Sequence, residues 1–309
     1  ANSMLGGKTI HPVLGLPGGV SKKVSEEEAE KLKKLGEEAL EFSLFTLKVF
    51  KDIVLSNKEY VDLITSEAYT HRTYYMGLVD DKNRVNFYEG LIRIVDPEGR
   101  EYAKFDVHRY RDYVAEHVEP WTYVRFSYLK PVGWKGFVDG SESGIMSVAP
   151  LARLNAADGM ATPHAQEAYE EMYETLGGKP AHHTLANHWA RIVEMIYAAE
   201  RIKELAEDPE LTDPNVRNIP TETPSEGMGV VEAPRGTLIH HYITDERGVI
   251  KRANLLVATQ HNAARIALSV DKAARSLIRG GKVDEGLLNM VEMAFRAYDP
   301  CHALSLIHI

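Results

Sequence analysis

Cysteine, long apolar runs and an excess of basic charge are the features that this sequence lacks. One cysteine among 309 residues excludes an internal disulfide and favours a reducing compartment, so the cytoplasm is the expected location. No apolar run reaches the roughly 20 residues of a membrane-spanning helix, so no membrane span is predicted. The net charge of −9 argues against nucleic acid as a partner, because nucleic-acid-binding proteins present a basic surface.

Apolar residues recur at helical spacing through most of the chain. Ser25 and Glu28 have the spacing of a capping box, and they predict a helix that continues to about residue 49. The same spacing predicts four more helices: a short one after Asn57, a long one over 185–205, and two that close the chain, over 262–279 and 283–298.

Strand patterns interrupt the helices in two places. A β-rich insertion is predicted over about 73–130, with strands at 74–79, 85–88, 91–95, 102–105 and 123–129. Three more strands are predicted at 230–232, 237–243 and 250–257, the last two joined by a hairpin turn at 245–248. The expected fold is α+β and mainly α, a bundle of long helices with a small inserted antiparallel sheet.

Asp299-Pro300-Cys301 follows the last predicted helix. The proline prevents the helix from continuing, so the thiol is expected to lie just beyond the helix end. A thiolate there is a soft ligand that suits nickel or low-spin iron. The alternative is that Cys301 is a small buried hydrophobe, the commoner environment of a lone cysteine.

Glu232-Ala233-Pro234-Arg235-Gly236 places an arginine directly after a proline at the start of a strand. Arginine is always charged and presents a rigid fork of donors, so Arg235 is a candidate for stabilising negative charge. The alternative is a structural ion pair between Arg235 and Glu232 or another nearby acid.

Val257-Ala258-Thr259 lies between a predicted strand and a predicted helix. Small residues and a hydroxyl at that position could donate hydrogen bonds to an anionic ligand at a helix N-terminus. The alternative is that Thr259 is an ordinary N-cap residue.

Five segments occur in the same order as in the large subunits of nickel–iron hydrogenases, and the resemblance spans nearly the whole chain. Residues 14–22 resemble most the cytoplasmic viologen-reducing branch that is associated with heterodisulfide reductase, with the NADP-reducing sulfhydrogenases as the near alternative. The five segments are Gly6-Gly7-Lys8-Thr9-Ile10-His11-Pro12, Val148-Ala149-Pro150-Leu151-Ala152-Arg153-Leu154-Asn155, Glu232-Ala233-Pro234-Arg235-Gly236, Asn254-Leu255-Leu256-Val257-Ala258-Thr259 and Asp299-Pro300-Cys301.

The resemblance implies a role for each candidate residue. Cys301 matches a terminal nickel ligand, and Arg235 matches the arginine above the open metal position. Val257, Ala258 and Thr259 match the segment that packs around an iron-bound cyanide, although many relatives have proline in place of Ala258.

The same resemblance implies an activity and its cofactors. The expected activity is reversible heterolytic cleavage of dihydrogen at a nickel–iron centre with cyanide and carbonyl ligands, with magnesium as a further component of the full-length protein. Electrons would pass to an iron–sulfur small subunit, then to heterodisulfide reductase or a flavin- or NADP-linked module. The alternative is a metal-free scaffold subunit of the same fold, like the related subunit of respiratory complex I.

The sequence departs from the family pattern at its end. The family motif is Asp-Pro-Cys-x-x-Cys-x-x-His, but Leu304 and Ile307 stand at the positions of the second cysteine and the histidine. The family's other Cys-x-x-Cys pair is absent as well. We therefore expect a fragment truncated at both ends, inactive by itself, in which residues 1–303 form a partial large-subunit domain.

Residues 304–309 are predicted to be a non-native tail, because Leu-Ser-Leu-Ile-His-Ile is the translation of the end sequence of a common sequencing-library transposon adapter. Amplifying and sequencing the gene from genomic DNA should give different codons after His302, including the family's second cysteine. A native gene that encodes these six residues would contradict the prediction.

Overall fold

The computed structural model describes residues 2–7 and 14–301. Within these residues no helix is both long enough and apolar enough to cross a bilayer. The helices are α1 (Asn2–Gly6), α2 (Glu26–Phe50), α3 (Lys58–Ile64), α4 (Tyr110–Tyr113), α5 (Pro150–Ala156), α6 (Pro163–Thr175), α7 (Asn187–Ala206), α8 (Ala258–Leu277) and α9 (Glu285–Arg296). The strands are β1 (Gly15–Leu16), β2 (Gly19–Val20), β3 (Tyr74–Val79), β4 (Leu91–Val95), β5 (Glu101–Phe105), β6 (Val114–Val118), β7 (Arg125–Leu129), β8 (Met146–Ser147), β9 (Glu226–Ala233), β10 (Gly236–Thr244) and β11 (Ile250–Leu256).

The two longest amphipathic helices of the first two thirds, α2 and α7, pack against each other. The predicted capping box starts α2: the Glu28 N–H donates to Ser25 Oγ (3.2 Å), and the Ser25 N–H donates to Glu28 Oε2 (3.0 Å). Gly36 allows the close approach, because a Cβ there would lie 3.0 Å from the backbone nitrogen of Lys203 on α7. The largest apolar cluster lies between these helices, α5 and α6, around the buried Trp189.

The predicted β insertion is two sheets rather than one. Strands β5, β4, β3 and β8 form a four-stranded sheet, and β8, which lies outside the predicted range, pairs parallel to β3. Strands β6 and β7 form a separate antiparallel pair, and β6 was missed. Residues 85–88 were wrongly predicted as a strand, since Val85 makes only an isolated bridge to Val79.

The third sheet and the last two helices carry the segments singled out in the sequence. The sheet has the order β11-β10-β9, and the predicted hairpin joins β10 to β11. Helix α8 begins at Ala258, four residues before the predicted start, so Thr259 lies in its first turn and Val257 is the N-cap. With 45% helix and 21% strand, the α+β prediction is confirmed, but mainly α describes the fold only loosely.

A carboxylate from α7 caps helix α6. Thr162, the N-cap residue of α6, makes no capping bond of its own. Instead, the buried Glu200 accepts hydrogen bonds from the Thr162 hydroxyl and from the N–H groups of His164 and Ala165 (both 3.1 Å). Burial raises the pKa of Glu200, but the hydrogen bonds from Thr162 and His164 outweigh it and leave the pKa below its usual value.

We predict that Glu200→Ala destabilises the protein by about 2 kcal/mol, because a charged acceptor is lost and buried donors lose their partner. Since the folded-state pKa is lowered, this stabilisation is present above the unfolded-state pKa and is lost as pH falls, so the wild type should lose its advantage in acid. Denaturant unfolding at neutral and acidic pH measures both effects. Glu204→Ala, which removes a half-exposed partner of Arg201, is the control and should cost under about 1 kcal/mol. Equal losses in the two variants would contradict the prediction.

Candidate metal centre

Cys301 lies against the first turn of α8. After α9 the chain turns at Asp299, whose φ of +48° is in the left-handed region that Asp tolerates better than most residues, and Pro300 follows. The N–H of the partly buried Cys301 then donates to Thr259 Oγ1 at 3.2 Å. Two of the predicted site segments, 42 residues apart in sequence, therefore meet at a helix N-terminus.

Arg235 lies in the two-residue turn between β9 and β10 and is held by Asp299. Its Nη2 lies 3.1 Å from Asp299 Oδ2, and its Nε donates to the Asp299 backbone carbonyl. The guanidinium is one-third exposed. The ion pair foreseen as an alternative is thus present, but with Asp299 and not with Glu232. This pair holds Arg235 against the residue that lies two positions before Cys301.

Arg153 holds the segment that precedes Arg235. This fully buried guanidinium donates to both carboxylate oxygens of Glu194 on α7 (2.6 and 2.5 Å) and to Glu232 Oε2 (3.1 Å). It also donates to the backbone carbonyls of Ala233 and Pro234. All three of its nitrogens thus donate to acceptors. The bonds to the Ala233 and Pro234 carbonyls fix the turn that carries Arg235.

Charge in this buried network is only partly balanced. Burial would lower the pKa of Arg153, but attraction to Glu194 and Glu232 outweighs it, so the pKa is raised and the guanidinium stays charged. Burial raises the pKa of Glu232 to about 7, although Arg153 and the N–H of Leu78 oppose the shift. Three donors, from Leu78, Arg153 and Thr237, converge on its carboxylate and limit the rise that burial causes.

Asn262 on α8 joins two of the segments that carry the resemblance. Its Oδ1 accepts from the Val148 N–H (2.8 Å) and from Ser147 Oγ (3.2 Å), while its Nδ2 donates to the Arg235 carbonyl (3.0 Å). Gly236 allows this convergence, because a Cβ there would lie 2.3 Å from the Val148 carbonyl oxygen. The linking role of Asn262 could not be predicted from the sequence. The predicted helix starts at this residue, and an asparagine is ordinary in the first turn of a helix.

A cavity with both charged and apolar walls adjoins the Arg235–Asp299 pair. It has a volume of about 340 Å³ and is lined mainly by charged side chains and the turn, among them Arg153, Arg191, Glu194, Glu232, Pro234 and Asp299. A larger cavity of about 450 Å³ lies beside α2 and α7 and is mostly apolar, so it is unrelated to this site. The smaller cavity has enough polar groups to hold water beside the turn.

The residues present fit one side of a nickel–iron centre. They supply one soft thiol as a ligand, and the positive end of the α8 dipole and a fixed guanidinium, which both favour negative charge on a metal centre. Among residues 2–7 and 14–301 no group of three or more His, Cys, Asp or Glu side chains could hold a metal ion. The remaining ligands would therefore have to come from outside these residues. The predicted tail, 304–309, also lies outside them.

Comparison with known proteins identifies relatives among the nickel-dependent hydrogenases, in agreement with the resemblance seen in the sequence. A model of the nickel-dependent hydrogenase family matches residues 1–308. An iron-sulfur subunit of the F420-non-reducing hydrogenase of Archaeoglobus profundus is 50% identical over 301 residues, which cover 97% of this chain and 62% of that protein. The beta subunit of the NAD-reducing hydrogenase HoxS of Cupriavidus necator is 38% identical, with 96% of this chain and 60% of that protein covered.

The structural comparison agrees with the sequence comparison. The crystal structure of an NAD⁺-reducing NiFe-hydrogenase in the H2-reduced state superposes with a TM-score of 0.88 at 32% identity, covering 98% of this chain and 64% of that one. This chain therefore spans about three-fifths of the length of each of these relatives. The fold is that of a hydrogenase large subunit.

We predict that Asn262→Ala destabilises the protein by about 1–3 kcal/mol for each buried group that it leaves without a partner, chiefly the Val148 N–H. Denaturant unfolding of the 309-residue chain measures the loss. Asn289→Ala removes an exposed acceptor from α9 and is the matched control, with an expected change within about 0.5 kcal/mol. Indistinguishable unfolding midpoints for the two variants would show that Asn262 does not join these segments.

Proposed function

Because the chain belongs to the nickel-dependent hydrogenase family, we propose that its full-length protein is the catalytic subunit of a cytoplasmic nickel–iron hydrogenase of the F420-non-reducing, viologen-reducing type. The reaction is the reversible heterolytic cleavage of H2 into two protons and two electrons. The observation that supports this best is the meeting of Cys301, Thr259 and the Arg235–Asp299 pair at one helix end.

Cys301 is the proposed terminal nickel ligand among the residues of this chain. The first N–H groups of α8 have no partner within the helix, so the positive end of this helix attracts the negative charge of a metal-bound thiolate. When bound, the nickel–iron centre supplies Lewis-acid activation of dihydrogen and accepts its electrons. The backbone bond from Cys301 to Thr259 restricts where the thiolate can lie.

Arg235 is the proposed electrostatic residue. Its guanidinium does not deprotonate in a protein, so it acts by stabilising the charges that separate and not by accepting a proton. Asp299 restricts its rotation through the side chain and the backbone carbonyl, so the donors are oriented before the reaction begins. The carbonyl of Arg235 is held in turn by Asn262.

Val257, Ala258 and Thr259 are the proposed contacts of an iron-bound cyanide. Thr259 Oγ1 accepts a hydrogen bond from Cys301, which leaves its hydroxyl proton to donate to a cyanide nitrogen. Ala258 and Val257 are small enough to let the ligand approach the helix end. A carbonyl ligand on iron and a magnesium ion are further proposed components, and no residue of this chain is assigned to either.

The proposed partner is an iron–sulfur small subunit that receives the electrons. One relative belongs to a hydrogenase that does not reduce F420, and another belongs to a hydrogenase that reduces NAD. For this protein, heterodisulfide reductase or a flavin- or NADP-linked module is the proposed next carrier.

We predict that the full-length protein, produced with its maturation proteins and its partner subunit, contains nickel, and iron in excess of nickel because the partner's iron–sulfur clusters add iron. The 309-residue chain alone should contain neither metal because it has one cysteine. Cys301→Ser should abolish nickel binding and H2 oxidation. Arg235→Lys, the matched variant, should retain both metals but slow H2 oxidation roughly 10²-fold. Elemental analysis and viologen reduction measure these outcomes. A full-length gene without the upstream cysteine pair, or a purified complex without nickel, would favour the scaffold alternative.

A further inference from the structure

Three arginines of the described chain are buried, and one of them has no acidic partner. Arg93 and Arg153 are each paired with two carboxylates. Arg265, on α8, is 3% exposed and has no carboxylate of the described residues within 4.0 Å. A buried cation without a counter-charge is strongly unfavourable, so this exception needs a physical cause.

Neutral oxygens surround the Arg265 guanidinium. It donates to the Thr73 hydroxyl (3.0 Å), the Ser269 hydroxyl (3.1 Å), the Thr184 hydroxyl (3.4 Å) and the backbone carbonyl of His71 (3.1 Å). These acceptors satisfy its hydrogen bonds and fix its position, but they leave its positive charge uncompensated.

Asp139, which lies beside His71, does not serve as the counter-charge of Arg265. Asp139 lies 3.4 Å from the ring of His71 and is two-fifths exposed, so solvent screens it. Burial, with a contribution from Arg265, lowers the pKa of His71 to about 2, so the imidazole between them is neutral. Asp139 therefore leaves the positive charge of Arg265 uncompensated.

Arg265 lies on the same helix as Thr259, further from the N-terminus at which Thr259 meets Cys301. Thr259 precedes it by six residues on the same helix (265 − 259), which is about 9 Å along the axis. Ser269, which accepts from Arg265, is also hydrogen-bonded to the hydroxyl of Tyr298 (2.9 Å), three residues before Cys301. The guanidinium contacts Ser269 near the middle of α8, and its charge and the α8 dipole both contribute positive potential toward Thr259 at the start of the helix.

We propose that Arg265 is the buried counter-charge of the anionic metal centre that Cys301 helps to hold, and that it raises the reduction potential of that centre. The inference rests on the proposed function, because thiolate and cyanide ligands give such a centre net negative charge. Arg265 is a positioning residue in this scheme: it acts through its field and touches neither the metals nor the substrate.

The test uses the full-length, metal-loaded complex with its partner subunit. Arg265→Gln and Arg265→Met remove the charge, and Arg265→Lys keeps it. Arg93→Gln, which removes another buried guanidinium from β4, is the matched control. Infrared spectra give the stretching frequencies of the iron-bound cyanide and carbonyl, and a redox titration followed by the same bands gives the potential.

We expect the neutral variants to shift the carbonyl band to lower wavenumber and the potential to more negative values, while Arg265→Lys and Arg93→Gln stay close to the wild type. A folded neutral variant that lacks the centre, beside a loaded Lys variant, would support the proposal too. Unchanged bands and potential in a loaded neutral variant would overturn it. Neutral variants that unfold whether or not metal is supplied would also overturn it, since the role is then structural. A wild-type complex without any cyanide or carbonyl bands would refute the proposed function instead.

Discussion

The buried Arg153 guanidinium is the contact on which the rest of the site depends. It joins α5 to α7 through Glu194, to β9 through Glu232, and to the turn of Arg235 through two backbone carbonyls. A neutral residue could not satisfy these acceptors, and removing one partner of a buried ion pair typically costs about 3–5 kcal/mol. The position of Arg235, and through it that of Asp299, therefore depends on this buried charge.

Local signals predicted most of the helices and strands. The capping box at Ser25, the hairpin at 245–248 and the strand over Tyr74–Val79 are all short-range patterns, in which each residue's neighbours in sequence determine its conformation. The ordered motifs also identified the family, and the segments that contain Cys301, Thr259 and Arg235 do converge in the structure. Their chemical roles remain proposals.

What the sequence could not predict depends on contacts between distant segments. Strand β6 forms because β7 pairs with it, and the two-residue β8 is a strand only through its pairing with β3. The start of α8 was placed too late because Ala258 and Thr259 follow a strand pattern and lack helical periodicity. The functions of Asn262 and Arg265 in linking segments were missed for a related reason: a polar residue in a helix shows its partners only after folding.

The hydrogen bond between Thr259 and residue 301 involves the backbone of that residue and not its sulfur. The backbone contact with α8 can therefore form whichever side chain residue 301 carries. A lineage that replaced the cysteine would lose the thiolate and retain the architecture. Evolution from a metalloenzyme of this fold to an inert structural protein thus requires few substitutions. A protein can therefore keep this backbone after it has lost the metal ligand.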